Sequence, residues 1–219
     1  MRVACLHTAD SNIEIFDAAA KQLNLPTDAL IHAGRAELLA AAELARAILP
    51  NIERRTGDAL LQLARRADSV LLTCSTLGPC VTAVSAVAGV PVIRVDASLA
   101  KDATRAPARV VALCATETTV QTTATLFTDA AKQSGADVEI HLVQGAWALF
   151  KRGERSRYLV AIADAAEQAY ADGASVVALA QASMAPAADL ITRAPRPLTS
   201  PASGLATAMR AAAHARQCR

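Results

Sequence analysis

The stretch Leu71-Leu72-Thr73-Cys74-Ser75-Thr76-Leu77-Gly78-Pro79-Cys80 decides how this chain is read. An apolar run stops at a thiol and two hydroxyls, and Gly-Pro then opens a helical pattern. That is how a buried strand of a parallel sheet passes into the next helix, and ligands bind at such carboxyl ends. Outward from it, short β-branched runs recur at 2–6, 69–73, 91–95, 109–114, 138–143 and 175–180, with a weaker one at 28–32. Helical patterns separate them at 12–23, 35–49, 52–67, 79–88, 117–134, 154–171 and 202–216. In 35–49, for example, Leu38, Ala42, Ala45 and Leu49 share one face. Alternating strands and helices predict an α/β fold with helices on both faces of parallel sheets.

The order of elements occurs twice. Val3 and Val110 stand 107 positions apart (110 − 3), as do Cys74 and Gln181 (181 − 74). Each half runs strand, polar loop and helix, and later a strand ending in a polar cluster. The expected architecture is two similar parallel-sheet lobes related by a pseudo-twofold, with the active cleft between them. The first lobe takes 1–98 plus 202–219 and the second 99–201. Residues 97–107 read as the linker, and the proline-rich 195–201 lets the last helix return to the first lobe.

Composition narrows the function. Hydrophobic residues make up 53% of the 219 positions and aromatics only 3%, so alanine-rich helices pack on aliphatic strands. A net charge of +2, with no basic stripe, gives no reason to expect a nucleic-acid or membrane partner. The N-terminus carries no apolar signal core and no apolar stretch reaches membrane-spanning length, so a cytoplasmic protein is expected. Five scattered cysteines (Cys5, Cys74, Cys80, Cys114 and Cys218) form no disulfide framework and no zinc-ligand spacing, so no metal is expected. Position 80 is Cys where a phosphatase loop needs Arg, and neither a Gly-x-Ser-x-Gly elbow nor a glycine-rich phosphate loop occurs.

Four polar clusters fall at predicted strand ends: His7 to Asn12, Cys74 to Thr76, Ala115 to Thr119, and Gln181 to Ser183. Cys74, Ser75 and Thr76 sit where a helix N-terminus offers unsatisfied N–H donors and partial positive charge. Such a setting lowers a thiol pKa from about 8.5 and holds a carboxylate. A carboxylate so held takes up electrons when a proton or CO2 leaves the adjacent carbon.

These residues resemble the aspartate/glutamate racemase superfamily, which includes hydantoin racemase and arylmalonate decarboxylase. Thr73-Cys74-Ser75-Thr76 resembles its first cysteine motif, and Thr8-Ala9-Asp10-Ser11 its first substrate loop. The run from Ala115 to Thr122 is similar to its second-domain threonine loop. Leu179 to Ala185 is similar to the second cysteine motif of the hydantoin-racemase branch, and Leu198-Thr199-Ser200-Pro201 to the segment before the last helix. The resemblance implies cofactor-free deprotonation beside the carboxylate of a small acid or amino acid, and a homodimer. It makes Cys74 and Gln181 the catalytic positions and gives Thr8, Asp10, Ser11, Ser75, Thr76, Thr116, Thr119 and Ser183 substrate contacts.

Gln181 stands where the second cysteine belongs, and an amide relays no proton near neutral pH. Either Asp10 or His7 serves the second face, or one protonation face suffices as in a decarboxylase, or Cys74 is a covalent nucleophile with Gln181 donating to an oxyanion. A non-catalytic carboxylate-binding protein is the remaining alternative. Purely structural roles also fit these residues: Cys74 as a buried apolar group, Ser75, Thr76, Asp10, Ser11, Thr116 and Thr119 as helix caps, and Gln181 as a hydrogen-bonding filler. Cys5, Cys80, Cys114 and Met184 read as core, and Cys218 as inert.

Overall fold

The computed structural model describes residues 1–217, so Cys218 lies outside the described residues. The chain divides into two compact units, Met1–Ser98 with the segment from Pro201 onward, and Leu99–Ser200.

The first unit runs β1 (Val3–His7), α1 (Asn12–Gln22), β2 (Leu30–Gly34), α2 (Ala36–Ala45), α3 (Pro50–Ala64), β3 (Ser69–Leu72), α4 (Val81–Ser85) and β4 (Val92–Arg94). Its sheet is fully parallel in the order β2-β1-β3-β4, with Val3 opposite both Leu30 and Ser69. Every residue of β1 and β3 is buried, as strands covered on both faces require. On one face Ala4, Leu6, Val70 and Leu72 pack with Leu38, Ile52, Leu60, Leu63 and Val84. α2 is shorter than the periodicity predicts because Arg46 turns left-handed at φ 52°, and Pro50 then opens α3 at a position where its missing N–H costs nothing.

The helix α5 (Val95–Ala103) occupies most of the predicted linker and spans the boundary between the units. The second unit continues with β5 (Arg109–Cys114), α6 (Glu117–Ala131), β6 (Asp137–Leu142), α7 (Ala146–Lys151), α8 (Arg155–Ala171), β7 (Val176–Leu179) and β8 (Leu198–Thr199). The sheet order β6-β5-β7-β8 repeats that of the first unit, and all pairs are again parallel. β5 shows why both faces must be covered. Val111 and Leu113 pack with Tyr158, Ile162 and Met184, while Val110 and Ala112 pack with Leu99, Ala103 and Phe127.

The last helix, α9 (Ser200–Gln217), belongs to the first unit beyond Pro201. Ser69 donates its hydroxyl to the Ala208 carbonyl at 3.1 Å, and Gly204 lets α9 lie close to Leu71 and Val95. Among the described residues no helix is long and apolar enough to cross a membrane.

Candidate active site

Cys74 follows the end of β3 by two residues. It is 7% exposed and packs beside Leu6, Leu72 and Leu77. Three neighbouring donors nevertheless pull its pKa down: the Thr8 hydroxyl and the backbone N–H groups of Leu77 and Thr76. Burial dominates and drives the thiol pKa up, the three donors oppose it, and the negative charge of Asp96 adds to the rise. The net direction is opposite to the lowering expected from a helix N-terminus. Burial is the reason, and little helix stands against it: a single 3-10 turn, Gly78–Cys80, follows the loop, and α4 begins only at Val81 and has five residues. The field of so short and distant a helix is small.

Ser75 and Thr76 do not cap that turn with their side chains, whose N-cap is Leu77, nor α4, whose N-cap is Cys80. Ser11 takes the N-cap position of α1 and Thr116 that of α6, again with no side-chain cap bond. The capping reading of these hydroxyls therefore fails, and in the first unit only Thr8 and Thr76 are brought to the sulfur. Asp10 is exposed, its Oδ1 directed at Gly34, where an added Cβ would sit 3.2 Å away.

In the second unit Gln181 organises a network. Its Oε1 accepts the Ala115 N–H at 2.6 Å, and its Nε2 donates to the Thr116 hydroxyl at 3.1 Å. Thr116 and Thr119 share a 3.0 Å hydroxyl contact, and Thr119 donates to the Thr116 carbonyl at 2.9 Å. Ser183 stands apart from this network, 2.9 Å from the hydroxyl of Tyr158, whose burial pushes its pKa up to about 12.

Three features escape sequence reasoning. Arg94 ends β4 and forms a two-point ion pair with Asp96, with hydrogen bonds of 3.1 and 2.8 Å. Its guanidinium lies flat against Gly78, where a Cβ would come within 2.6 Å of Nη2. A charged residue inside the apolar run Val92-Ile93-Arg94-Val95 is the one signal that marks it. The second feature is Tyr158 behind Ser183. The third is a row of side chains behind Thr8 and Cys74. His7 Nδ1 lies 3.0 Å from the Thr73 hydroxyl, His7 Nε2 lies 2.8 Å from His32 Nδ1, and His32 Nε2 lies 3.0 Å from Asp17. Among the described residues, Cys5, His7 and His32 bring metal-binding atoms within 4.8 Å of one another. The ring nitrogens that would face an ion instead hydrogen-bond each other, so the set reads as a hydrogen-bonded pair beside a thiol. Cys5, Cys80 and Cys114 are buried, and burial raises all three thiols.

Two four-stranded parallel sheets of one topology, each with polar groups at its strand ends, define an α/β protein built from two repeated units. An aspartate racemase from Picrophilus torridus superposes with a TM-score of 0.72 at 12% identity, over 97% of this chain and 94% of that one. An allantoin racemase from Klebsiella pneumoniae superposes at 0.69 and 16% identity, over 98% and 88%. An aspartate racemase homologue from Pyrococcus horikoshii superposes at 0.65 and 12% identity, over 97% and 99%. No curated protein sequence matches the chain. The Asp/Glu/Hydantoin racemase family matches residues 17–209, and the chain belongs to that family as one of its enzymes.

Proposed function

We propose that this protein is a cofactor-independent isomerase acting at the carbon beside the carboxylate of a small acid or amino acid, with Cys74 as its acid/base. The observation that carries this reading is a thiol just past a strand end, beside the Thr8 hydroxyl and the Thr76 and Leu77 N–H groups, all of which act to lower its pKa. A merely packed cysteine gains nothing from such donors, whereas a thiolate formed during turnover is stabilised by each of them. In the forward step the thiolate takes the α-proton and the C–H electron pair moves into the carboxylate as an enediolate. Return of a proton to carbon restores the acid. Ser75, Thr76, Thr8, Asp10 and Ser11 are proposed to contact substrate from the first unit, and Thr116, Thr119 and Ser183 from the second. The working state proposed is a cytoplasmic homodimer.

One observation favours a second reading, a single-cysteine lyase. The Gln181 amide spends its oxygen on Ala115 and an N–H on Thr116, and it carries no exchangeable charge. A resting thiol with a raised pKa is already a proton donor. In that reaction a C–C bond breaks, CO2 leaves, its bonding electrons enter the remaining carboxylate as an enediolate, and Cys74 protonates the carbon.

Incubation of candidate acids in D2O tests both readings. Deuterium at the α-carbon with inversion supports the isomerase, CO2 release supports the lyase, and Cys74→Ala abolishes either. Full turnover in Cys74→Ala overturns the proposal.

A further inference from the structure

The Asp17–His32–His7–Thr73 row has an unusual proton balance. The parallel register sets Cys5 opposite His32, and His7 lies two residues beyond Cys5, so all three side chains share one face of the sheet. The two imidazoles are inclined by 19° with centroids 5.1 Å apart, and their nitrogens are 2.8 Å apart, so they meet edge to edge. In a neutral row the Thr73 hydroxyl donates to His7 Nδ1, His7 Nε2–H to His32 Nδ1, and His32 Nε2–H to the Asp17 carboxylate. One added proton leaves every heavy atom in place. The Thr73 hydroxyl turns to the Leu6 carbonyl 2.9 Å away, His7 donates from Nδ1 to Thr73, and His32 Nδ1–H donates to His7 Nε2. All donors and acceptors remain satisfied. A second proton has no place, because two N–H groups would then face each other across 2.8 Å.

We propose that His7 is a positioning residue for the Cys74 thiol, acting through a hydrogen-bonded row that tolerates one proton and is broken by the second. His7 precedes Thr8 and Thr73 precedes Cys74, so the row ties the end of β1 to the loop after β3 and keeps the Thr8 hydroxyl beside the sulfur. The groups that face the pair are the Cys5 thiol on β1, Asp17 and the Phe16 ring on α1, and Thr73 after β3. Phe16 lies 5.3 Å from His7 between ring centroids. Cys5 is kept neutral by burial, which leaves Asp17 as the only anion among them. His7 is held down to about 4 by burial first and the charge of His32 second, against the pull of Asp17, in keeping with a costly second proton.

The catalytic consequence rests on Cys74 being the reacting group, but the row itself is read without turnover. Imidazole nitrogen NMR of the wild-type protein is expected to show a scalar coupling across the 2.8 Å His7–His32 N–H···N contact at neutral pH, lost only as the second proton enters at His7 near pH 4. Absence of that coupling at neutral pH, or its survival once His7 is protonated, would overturn the proposal. The second measurement is the reaction of Cys74 with dipyridyl disulfide, resolved by peptide mapping. His7→Phe should change its rate at neutral pH about tenfold, and His7→Asn, which keeps a donor toward Thr73, should return it to within about twofold of wild type. A folded His7→Phe protein with the wild-type rate would also overturn it. If His7→Phe does not fold, the wild-type profile decides, because the Cys74 rate must break at the same pH as the second histidine step. Full turnover in Cys74→Ala with the His7–His32 coupling intact would remove the proposed function and leave this inference standing.

Discussion

The Gln181 side-chain amide donates to the Thr116 hydroxyl at 3.1 Å while its oxygen accepts the Ala115 N–H at 2.6 Å, so one side chain ties the end of β7 to the start of α6. The position that resembles a catalytic cysteine thus does structural work that a thiol is too short and too weak a partner to do. Gln181→Cys is expected to leave the Ala115 N–H without its acceptor and to cost about 1–3 kcal/mol. Urea unfolding measures this. A gain in stability would show that the network is dispensable.

Gly78 and Arg94 form a second such pair. A methyl at position 78 would meet the guanidinium at 2.6–2.8 Å, and Arg94 can yield only by leaving Asp96. The Asp96 charge already raises the Cys74 thiol, and losing its counter-charge raises it further. Gly78→Ala and Arg94→Gln should therefore both move the pH dependence of Cys74 alkylation to higher pH, with the rate near neutrality falling at least about threefold. An unshifted profile in either variant would show that the ion pair does not reach the thiol.

Why some of this was legible in the sequence and some was not follows from the range of the interactions. β3 and β5 declared themselves because strands covered on both faces run apolar past their first residue, and Cys74 and Thr116 followed as the polar residues just past their ends. α5 was hidden by its charged residues Asp96, Lys101 and Asp102. Its buried positions Val95, Leu99, Ala100 and Ala103 carry a helical period that the charged residues between them obscure. β2 was displaced by two residues because Leu30–Gly34 is an edge strand of mixed exposure. The His7–His32 contact joins residues 25 apart through strand register, and Asp17 enters only through the packing of α1. The rise of the Cys74 pKa was missed because burial depends on tertiary packing, whereas the donors could be read from local sequence.

Gly204 permits the close approach of α9. A Cβ there would stand 2.8 Å from Val95 Cγ2 and 3.3 Å from both Leu71 methyls, in a helix that otherwise gains from any other residue. Gly204→Val should cost about 1–3 kcal/mol by overpacking, seen as a lower urea midpoint with an unchanged slope. A midpoint equal to wild type would mean that α9 moves away from the sheet without loss.

Stability should fall at both ends of the pH range, for two reasons of opposite sign. The folded-state pKa of His7 is held down to about 4. As pH drops through about 6.5 the unfolded chain binds a proton that the folded protein refuses, and the loss grows until His7 itself titrates. The shift corresponds to up to about 3 kcal/mol. On the alkaline side Cys5, Cys74, Cys80 and Cys114 all have raised pKa values in the folded state. Their contribution is fully present below the unfolded thiol value of about 8.5 and is lost as pH rises toward the folded values, because the unfolded chain releases protons that the folded protein retains. Urea midpoints across the range should trace a dome. His7→Asn should flatten its acid limb and leave the alkaline limb unchanged, whereas Cys5→Ala should lessen the alkaline fall and leave the acid limb in place. An acid limb of wild-type steepness in a folded His7→Asn protein would assign that loss to the carboxylates instead.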